Sequence, residues 1–157
     1  MLFQHMQVGQ RLRSGPRRVS EEEIIEFASR YDPQPFHIDA ARARHSRWKG
    51  LIASGWMTCA VAMEMAVQLI LAESDSLGSP GVDQLRWVNP VRPGDELTLL
   101  VEFLEKRLAR NGVTGVIRAR WVLTNQEQLT VLEMSVISLF DLAKAGRDPA
   151  GSGPASG

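Results

Sequence analysis

The sequence predicts an α+β domain in which a curved antiparallel sheet wraps around one central buried helix. The helix is indicated by residues 51–72, an apolar run whose strongly polar side chains are Glu64 and Gln68. A helix that is apolar nearly all round is normally buried. The sheet is indicated by apolar residues that alternate with polar ones after residue 84, with turn signals at hairpin spacing. A strongly curved sheet would bury such a helix.

Length and composition suit one soluble domain, predicted over residues 1–143, followed by a disordered tail over 144–157 that is rich in Gly, Pro, Ser and Ala. Lys plus Arg equals Asp plus Glu, at 18 each, so no overall field attracts nucleic acid or an anionic membrane. The single cysteine, Cys59, excludes an intramolecular disulfide and a multi-cysteine zinc site, and no metal is expected. No secretory signal is evident at the start, so a cytoplasmic location is expected.

The N-terminal part is predicted to form an arm and a short helix. Residues 8–19 are predicted to be irregular and extended, because Gly9, Gly15 and Pro16 interrupt them. Ser20 followed by three glutamates has the pattern of a helix start: a serine cap, an acid three positions later and negative charge in the first turn. The apolar residues that follow predict a helix that ends near Arg30.

The long apolar run invites comparison with a membrane span, but two features favour a buried helix instead. Glu64 lies near its middle, where a charge costs about 2.5–3.5 kcal/mol even on the lenient insertion scale. Ser54-Gly55 resembles a helix start inside the run, which leaves about 17 helical residues, fewer than a typical span needs.

Four sequential strands are predicted after a loop over residues 75–81. The first contains Leu85 and Trp87, and the others cover about 97–103, 117–123 and 129–140. Turns are predicted at residues 92–95, at Asn111-Gly112, a strong hairpin signal, and at Asn125-Gln126.

The chemistry of the chain is concentrated between the short helix and the apolar run, where Asp32 and His37 stand five residues apart with two prolines between them. Each proline fixes its own φ and pushes the residue before it towards extended conformations, so Asp32 and Gln34 are not expected in a continuing helix. A stiff, bent, non-helical loop that brings an acid and an imidazole together suits general acid–base catalysis. The alternative is a simple turn in which Asp39 caps the next helix.

Three segments together resemble a known family, the MaoC-like acyl dehydratases or (R)-specific enoyl-CoA hydratases of the hot-dog fold. They are residues 32–39 (DPQPFHID), 50–56 (GLIASGW) and 87–95 (WVNPVRPGD). The resemblance covers roughly residues 10–140 and implies that Asp32 and His37 hold a water and add it across the double bond of a 2-enoyl-CoA, or remove it in reverse. It also implies a homodimer or dimer of dimers. Coenzyme A is part of the substrate, so no cofactor is expected.

The reaction needs a third element, because adding water β to a thioester places negative charge on the thioester oxygen. Free N–H groups at a helix start can stabilise this charge. Gly55 begins the predicted helix and has no side chain, so an acyl group could approach its N–H closely. The resemblance assigns the same oxyanion role to Gly55. The alternative is that Gly55 merely packs tightly or caps the helix.

The chain departs from the family pattern around these residues, and the departures leave the acyl specificity open. Tyr31 stands where better-known hydratases have Gly, Gln34 where they have Asn, and Ser54 where they commonly have His; Met57 stands where relatives with the Ser-Gly-Trp version often have His. Candidate substrate contacts are Pro35, Ser54, Trp56 and Met57, and, for the phosphates of coenzyme A, Arg42, Arg47 and Lys49.

Two other functions are compatible with the same sequence. A thioesterase of the same fold would use an acid on the central helix, but Glu64 lies nine residues from Gly55, or roughly 13 Å along the axis. A non-catalytic acyl-CoA binding module would bind the ligand without turnover.

Overall fold

A five-stranded antiparallel sheet and one long helix dominate the computed structural model, which describes residues 1–143. The strands are β1 Arg11–Arg18, β2 Ser76–Trp87, β3 Glu96–Leu108, β4 Thr114–Thr124 and β5 Thr130–Asp141, in the order β1-β3-β4-β5-β2. The helices are α1 Glu21–Tyr31, α2 Pro35–Ile38, α3 Ala40–His45 and α4 Gly55–Ala66, which continues as a π-helical turn over Val67–Leu71. The predicted tail over residues 144–157 lies outside the described residues.

The central part of the sheet follows the prediction. Strands β3, β4 and β5 form a sequential antiparallel meander, with the predicted turns between them at residues 111–112 and 125–126. Gly112 has a φ of 70°, the left-handed conformation that an Asn-Gly turn requires. The alternating apolar residues of β3 are buried against the helix, as their period of two indicates; they are Leu97, Leu99, Val101 and Phe103.

The two edges of the sheet correct the prediction. The segment expected to be an irregular arm forms β1, which pairs with β3 and has a register shift between Ser14 and Arg17. The segment expected to be a loop at residues 75–81 is largely the first half of β2, and β2 pairs with β5 instead of β3. Pro16 and Pro80 lack a backbone N–H, and they are tolerated because both strands lie at an edge.

Helix α4 confirms the predicted start and length but is buried on one side only. Gly55 is its first residue, and the helical turns continue to Leu71. Met57, Val61 and Met65 pack into the core with the apolar residues of the sheet. On the opposite face, large apolar side chains are exposed in the single chain; they are Trp56, Met63 and Val67. Among the described residues, no helix is long and apolar enough to cross a membrane.

Helix α1 has the predicted cap and leads into the segment from Asp32 to His37. The Ser20 hydroxyl accepts from the Glu23 N–H, and the Glu23 carboxylate accepts from the Ser20 N–H. Arg17 pairs with Glu23 at 2.6 Å and with Glu64 of α4 at 3.1 Å, which holds α1 beside the central helix. Glu64 thus forms an ion pair between β1 and the central helix, a structural role that agrees with its distance from the start of that helix.

Candidate active site

The segment from Asp32 to His37 bends so that its acid and imidazole converge. Asp32 ends α1 in a non-helical conformation, with φ of −153°, and Gln34 precedes α2 with Pro35 at the first helical position. The prediction that Asp32 and Gln34 leave the helix is confirmed, but His37 lies in a one-turn helix where a non-helical loop was expected. The Nε2 atom of His37 lies 3.3 Å from the Oδ2 atom of Asp32.

Asp39 caps the next helix, as the alternative interpretation of this segment predicts. Its carboxylate accepts from the Arg42 N–H at the start of α3. Asp39 is therefore a structural acid that stands two residues from His37 in the sequence.

His37 is buried, with 4% of its surface exposed, and its ring is held from two sides. The Nδ1 atom lies 2.7 Å from the carbonyl oxygen of Ile52, and Phe36 contacts the ring edge-on with 4.5 Å between centroids. A carbonyl oxygen only accepts, so Nδ1 carries the proton of this hydrogen bond. Nε2, which faces Asp32, is then the nitrogen that can exchange a proton with a bound molecule.

Asp32 accepts a hydrogen bond on each carboxylate oxygen. The Gln34 side-chain amide donates to Oδ1 at 2.8 Å, and the Ser54 hydroxyl donates to Oδ2 at 2.7 Å. Partial burial raises the pKa of Asp32. The two hydrogen-bond donors and the nearby His37 lower this pKa by more than burial raises it, so the pKa of Asp32 lies below its ordinary value. Asp32 is thus a carboxylate at neutral pH and can accept a proton.

Gly55 lies beside this pair as the first residue of α4, and its N–H belongs to the first turn, which has no acceptor within the helix. Its carbonyl accepts from the indole N–H of Trp87 at 2.8 Å. A Cβ atom at Gly55 would lie 2.6 Å from Cδ2 and 2.7 Å from Nε1 of Trp87. The space expected to admit an acyl group at Cα is therefore filled by the indole, and tight packing explains the glycine.

These groups open into a cavity of about 400 Å³. Of the predicted site residues, Asp32, His37, Gly55 and Trp56 line it. The remaining lining is mostly apolar. It comes from the Asp/His segment, the chain before α4, the first turn of α4 and the end of β2 with the chain that follows it: Gln34, Phe36, Trp48, Ile52, Ala53, Thr58, Trp87, Val88, Asn89, Pro90 and Val91. Trp48 was missed by sequence reasoning, because it stands in a basic run without periodicity; Phe36 and Asn89 lie within the motifs and could have been found.

Two backbone hydrogen bonds bring the separate segments to one place. The Ile52 N–H donates to the Phe36 carbonyl at 3.2 Å, and the Ala53 N–H donates to the Val91 carbonyl at 2.8 Å. The chain before α4 is thereby fixed between the Asp/His segment and the chain after β2.

The other predicted contacts lie outside the lining of this cavity. Ser54 is fully buried behind the Asp32 carboxylate, and Met57 is buried on the face of α4 that borders a separate cavity beside α1. Pro35, Arg42 and Lys49 do not line this cavity either. Arg47 does not line the cavity itself but contacts a residue that does: its guanidinium lies 4.9 Å from the ring centroid of Trp48.

Comparison with known proteins gives one consistent result. The family model described as MaoC like domain matches residues 4–123. The uncharacterized protein YdeM of Bacillus subtilis is 30% identical over 133 residues, which cover 85% of this chain and 94% of YdeM. A MaoC-like dehydratase from Rhodospirillum rubrum is 32% identical with a TM-score of 0.79, covering 90% of this chain and 97% of that one. The R-hydratase PhaJ1 from Pseudomonas aeruginosa is 26% identical with a TM-score of 0.74, covering 98% and 94%. These likenesses confirm the hot-dog fold.

Proposed function

Because the chain belongs to the MaoC-like dehydratase family, we propose that it is a hydratase/dehydratase that adds water reversibly across the double bond of a trans-2-enoyl-CoA. The product is an (R)-3-hydroxyacyl-CoA. The observation that carries this proposal is that Asp32 and the Nε2 atom of His37 lie 3.3 Å apart and share one cavity with Gly55, the first residue of α4.

The chemistry requires water to deliver its hydroxyl to the β-carbon while a proton reaches the α-carbon. Asp32 and Nε2 of His37 hold the water and together take up one proton and release another, so the site returns to its starting state. Negative charge develops on the thioester oxygen during the addition, and the N–H of Gly55 at the positive end of the helix stabilises it. Water and the enoyl thioester supply every atom of the product, so the reaction consumes no further cofactor.

Coenzyme A carries phosphates, and exposed basic side chains on the segment between His37 and α4 suit them. We assign this role to Arg42, Arg47 and Lys49, all exposed on or after α3. Arg47 is supported best, because it lies against Trp48 at the rim. If these contacts form, rising salt raises the KM for the thioester; an unchanged KM removes phosphate contact from the proposal.

The proposal is tested by following the absorbance of the enoyl thioester after purified protein is mixed with crotonyl-CoA and with longer enoyl-CoAs. We expect the absorbance to fall, and Asp32→Asn and His37→Ala each to lower the rate by roughly 10²- to 10⁴-fold. Asp39→Asn is the matched control: it makes the same chemical change in the same segment but keeps a side chain that caps α3. Its rate should equal that of the wild type.

Three outcomes would contradict the proposal or part of it. A folded protein that consumes no enoyl-CoA of any chain length is not a hydratase, and ligand binding without turnover would identify a binding module. Release of free coenzyme A, abolished by Glu64→Gln, would identify a thioesterase. A variant at Asp32 or His37 that keeps near-full rate removes that residue from the mechanism.

A further inference from the structure

Ser54 occupies the N-cap position of α4 but does not cap it. A serine at this position usually accepts from the N–H of the second or third helical residue. Ser20 does so at the start of α1, yet the Ser54 side chain makes no capping hydrogen bond. Its hydroxyl donates instead to Oδ2 of Asp32, 22 residues earlier in the chain, at 2.7 Å.

The contact fixes the Asp32 carboxylate as a rigid unit. Ser54 is fully buried, so its hydroxyl has no water to turn to, and Gln34 holds the other carboxylate oxygen. Donors on both oxygens oppose rotation of the carboxylate about its Cβ–Cγ bond. The oxygen that Ser54 holds is also the one that lies 3.3 Å from His37 Nε2.

The surroundings of Asp32 contain few other charges. Among the described residues, His37 is the titratable group within ion-pair distance of Asp32, and residues 50–54 contribute no charged side chain. Glu64, the charged residue of α4, pairs with Arg17, and the guanidinium of Arg30 lies over the ring of Tyr31. The neutral donors Ser54 and Gln34 therefore decide much of how the carboxylate is held.

We propose that Ser54 is a positioning residue that connects the Asp32–His37 pair with the start of α4. Its hydroxyl orients Asp32 towards His37, and, because that hydroxyl is turned away from the helix, the first N–H groups of α4 remain free for the thioester oxygen. The inference rests on the proposed function and adds a residue that acts through Asp32.

The test compares the pH–rate profiles of the wild type and Ser54→Ala with an enoyl-CoA substrate. Loss of a hydrogen bond to a charged group should lower kcat roughly tenfold or more while KM changes little. Without this donor the pKa of Asp32 rises, so the acid limb of the profile should move to higher pH. Ser54→Cys, of similar shape and a weaker donor, should shift in the same direction by less. Ser74→Ala, which removes a hydroxyl bonded to the Leu71 carbonyl beyond the far end of α4, should leave the profile unchanged.

A stability measurement tests the role of Ser54 independently of the proposed hydratase function. Ser54→Ala should lower the free energy of unfolding at neutral pH, and this loss should shrink at acid pH and in an Asp32→Asn background, because both remove the carboxylate. A loss that is equal in all three conditions, or a pH–rate profile that superimposes on that of the wild type, overturns the role of Ser54. Absence of turnover in the wild type overturns the proposed function, whereas the stability cycle still reports whether Ser54 acts on Asp32.

Discussion

Replacing Gly55 with alanine tests why a glycine opens the central helix. The new methyl group would overlap the Trp87 indole, with Cε2 nearest, Cδ2 at 2.6 Å and Nε1 at 2.7 Å, closer than real carbon contacts allow. The helical backbone of Gly55 itself accepts alanine, so the conflict lies with the indole alone. Trp87 is 45% exposed, and we expect its ring to swing outwards.

The cost follows from the contacts that the indole would lose. Its hydrogen bond to the Gly55 carbonyl contributes about 0.5–1.5 kcal/mol, and its edge-to-face contact with Trp56, at 5.2 Å between centroids, contributes a similar amount. Gly55→Ala should therefore lower the free energy of unfolding by about 1–3 kcal/mol. In a Trp87→Ala background the clash is gone, and the same change should be neutral or stabilise by up to about 1 kcal/mol, since alanine favours helices over glycine.

Urea unfolding of the two single variants and the double variant measures this coupling without any dependence on activity. Gly81→Ala is the control, because a Cβ atom there meets nothing within 4 Å. It should change stability by less than about 1 kcal/mol. An equal loss for Gly55→Ala with and without Trp87 would refute the packing explanation.

Two further predictions concern acid and assembly. Because folding lowers the pKa of Asp32, its carboxylate stabilises the folded protein above the pKa that it has in the unfolded chain, and this stability is lost as pH falls through its pKa in the folded protein. In urea unfolding, the free energy of unfolding of Asp32→Asn should therefore fall less with acid than that of the wild type. An unchanged pH dependence would contradict this. We propose that the chain forms the homodimer or dimer of dimers that the family resemblance implies, because Trp56 and Met63 of α4 and Val67 of the π-helical turn are exposed and apolar. Light scattering should give at least twice the mass of one chain, and a monomer mass would contradict this proposal.

Local sequence patterns determined the elements near the site. The apolar run after Ser54-Gly55 predicts where α4 begins and how long it is, because a helix start and helical periodicity depend on adjacent residues. The capping box at Ser20 and the Asn-Gly hairpin are short-range signals of the same kind. The two prolines likewise predict that the chain leaves the helix at Asp32.

Edge-strand pairing was decided only by the tertiary structure. Strand β2 joins β5 across the sheet, and β1 adds to β3 from a segment whose glycine and proline residues disguise a strand. Period-two alternation shows that a segment can be a strand, but it does not specify its partner, which depends on how distant segments pack around α4.

The fine chemistry of the site was decided in the same way. Sequence reasoning brought Asp32, His37 and Gly55 together through motif order and a family likeness. The hydrogen-bond partners that hold them come from distant positions: the Ser54 hydroxyl donates to Asp32, the Ile52 carbonyl accepts from His37, and the Trp87 indole donates to Gly55. Hydrogen bonds form only within about 3 Å, and such distances are set by the packing of whole elements, which residue spacing along the chain does not encode.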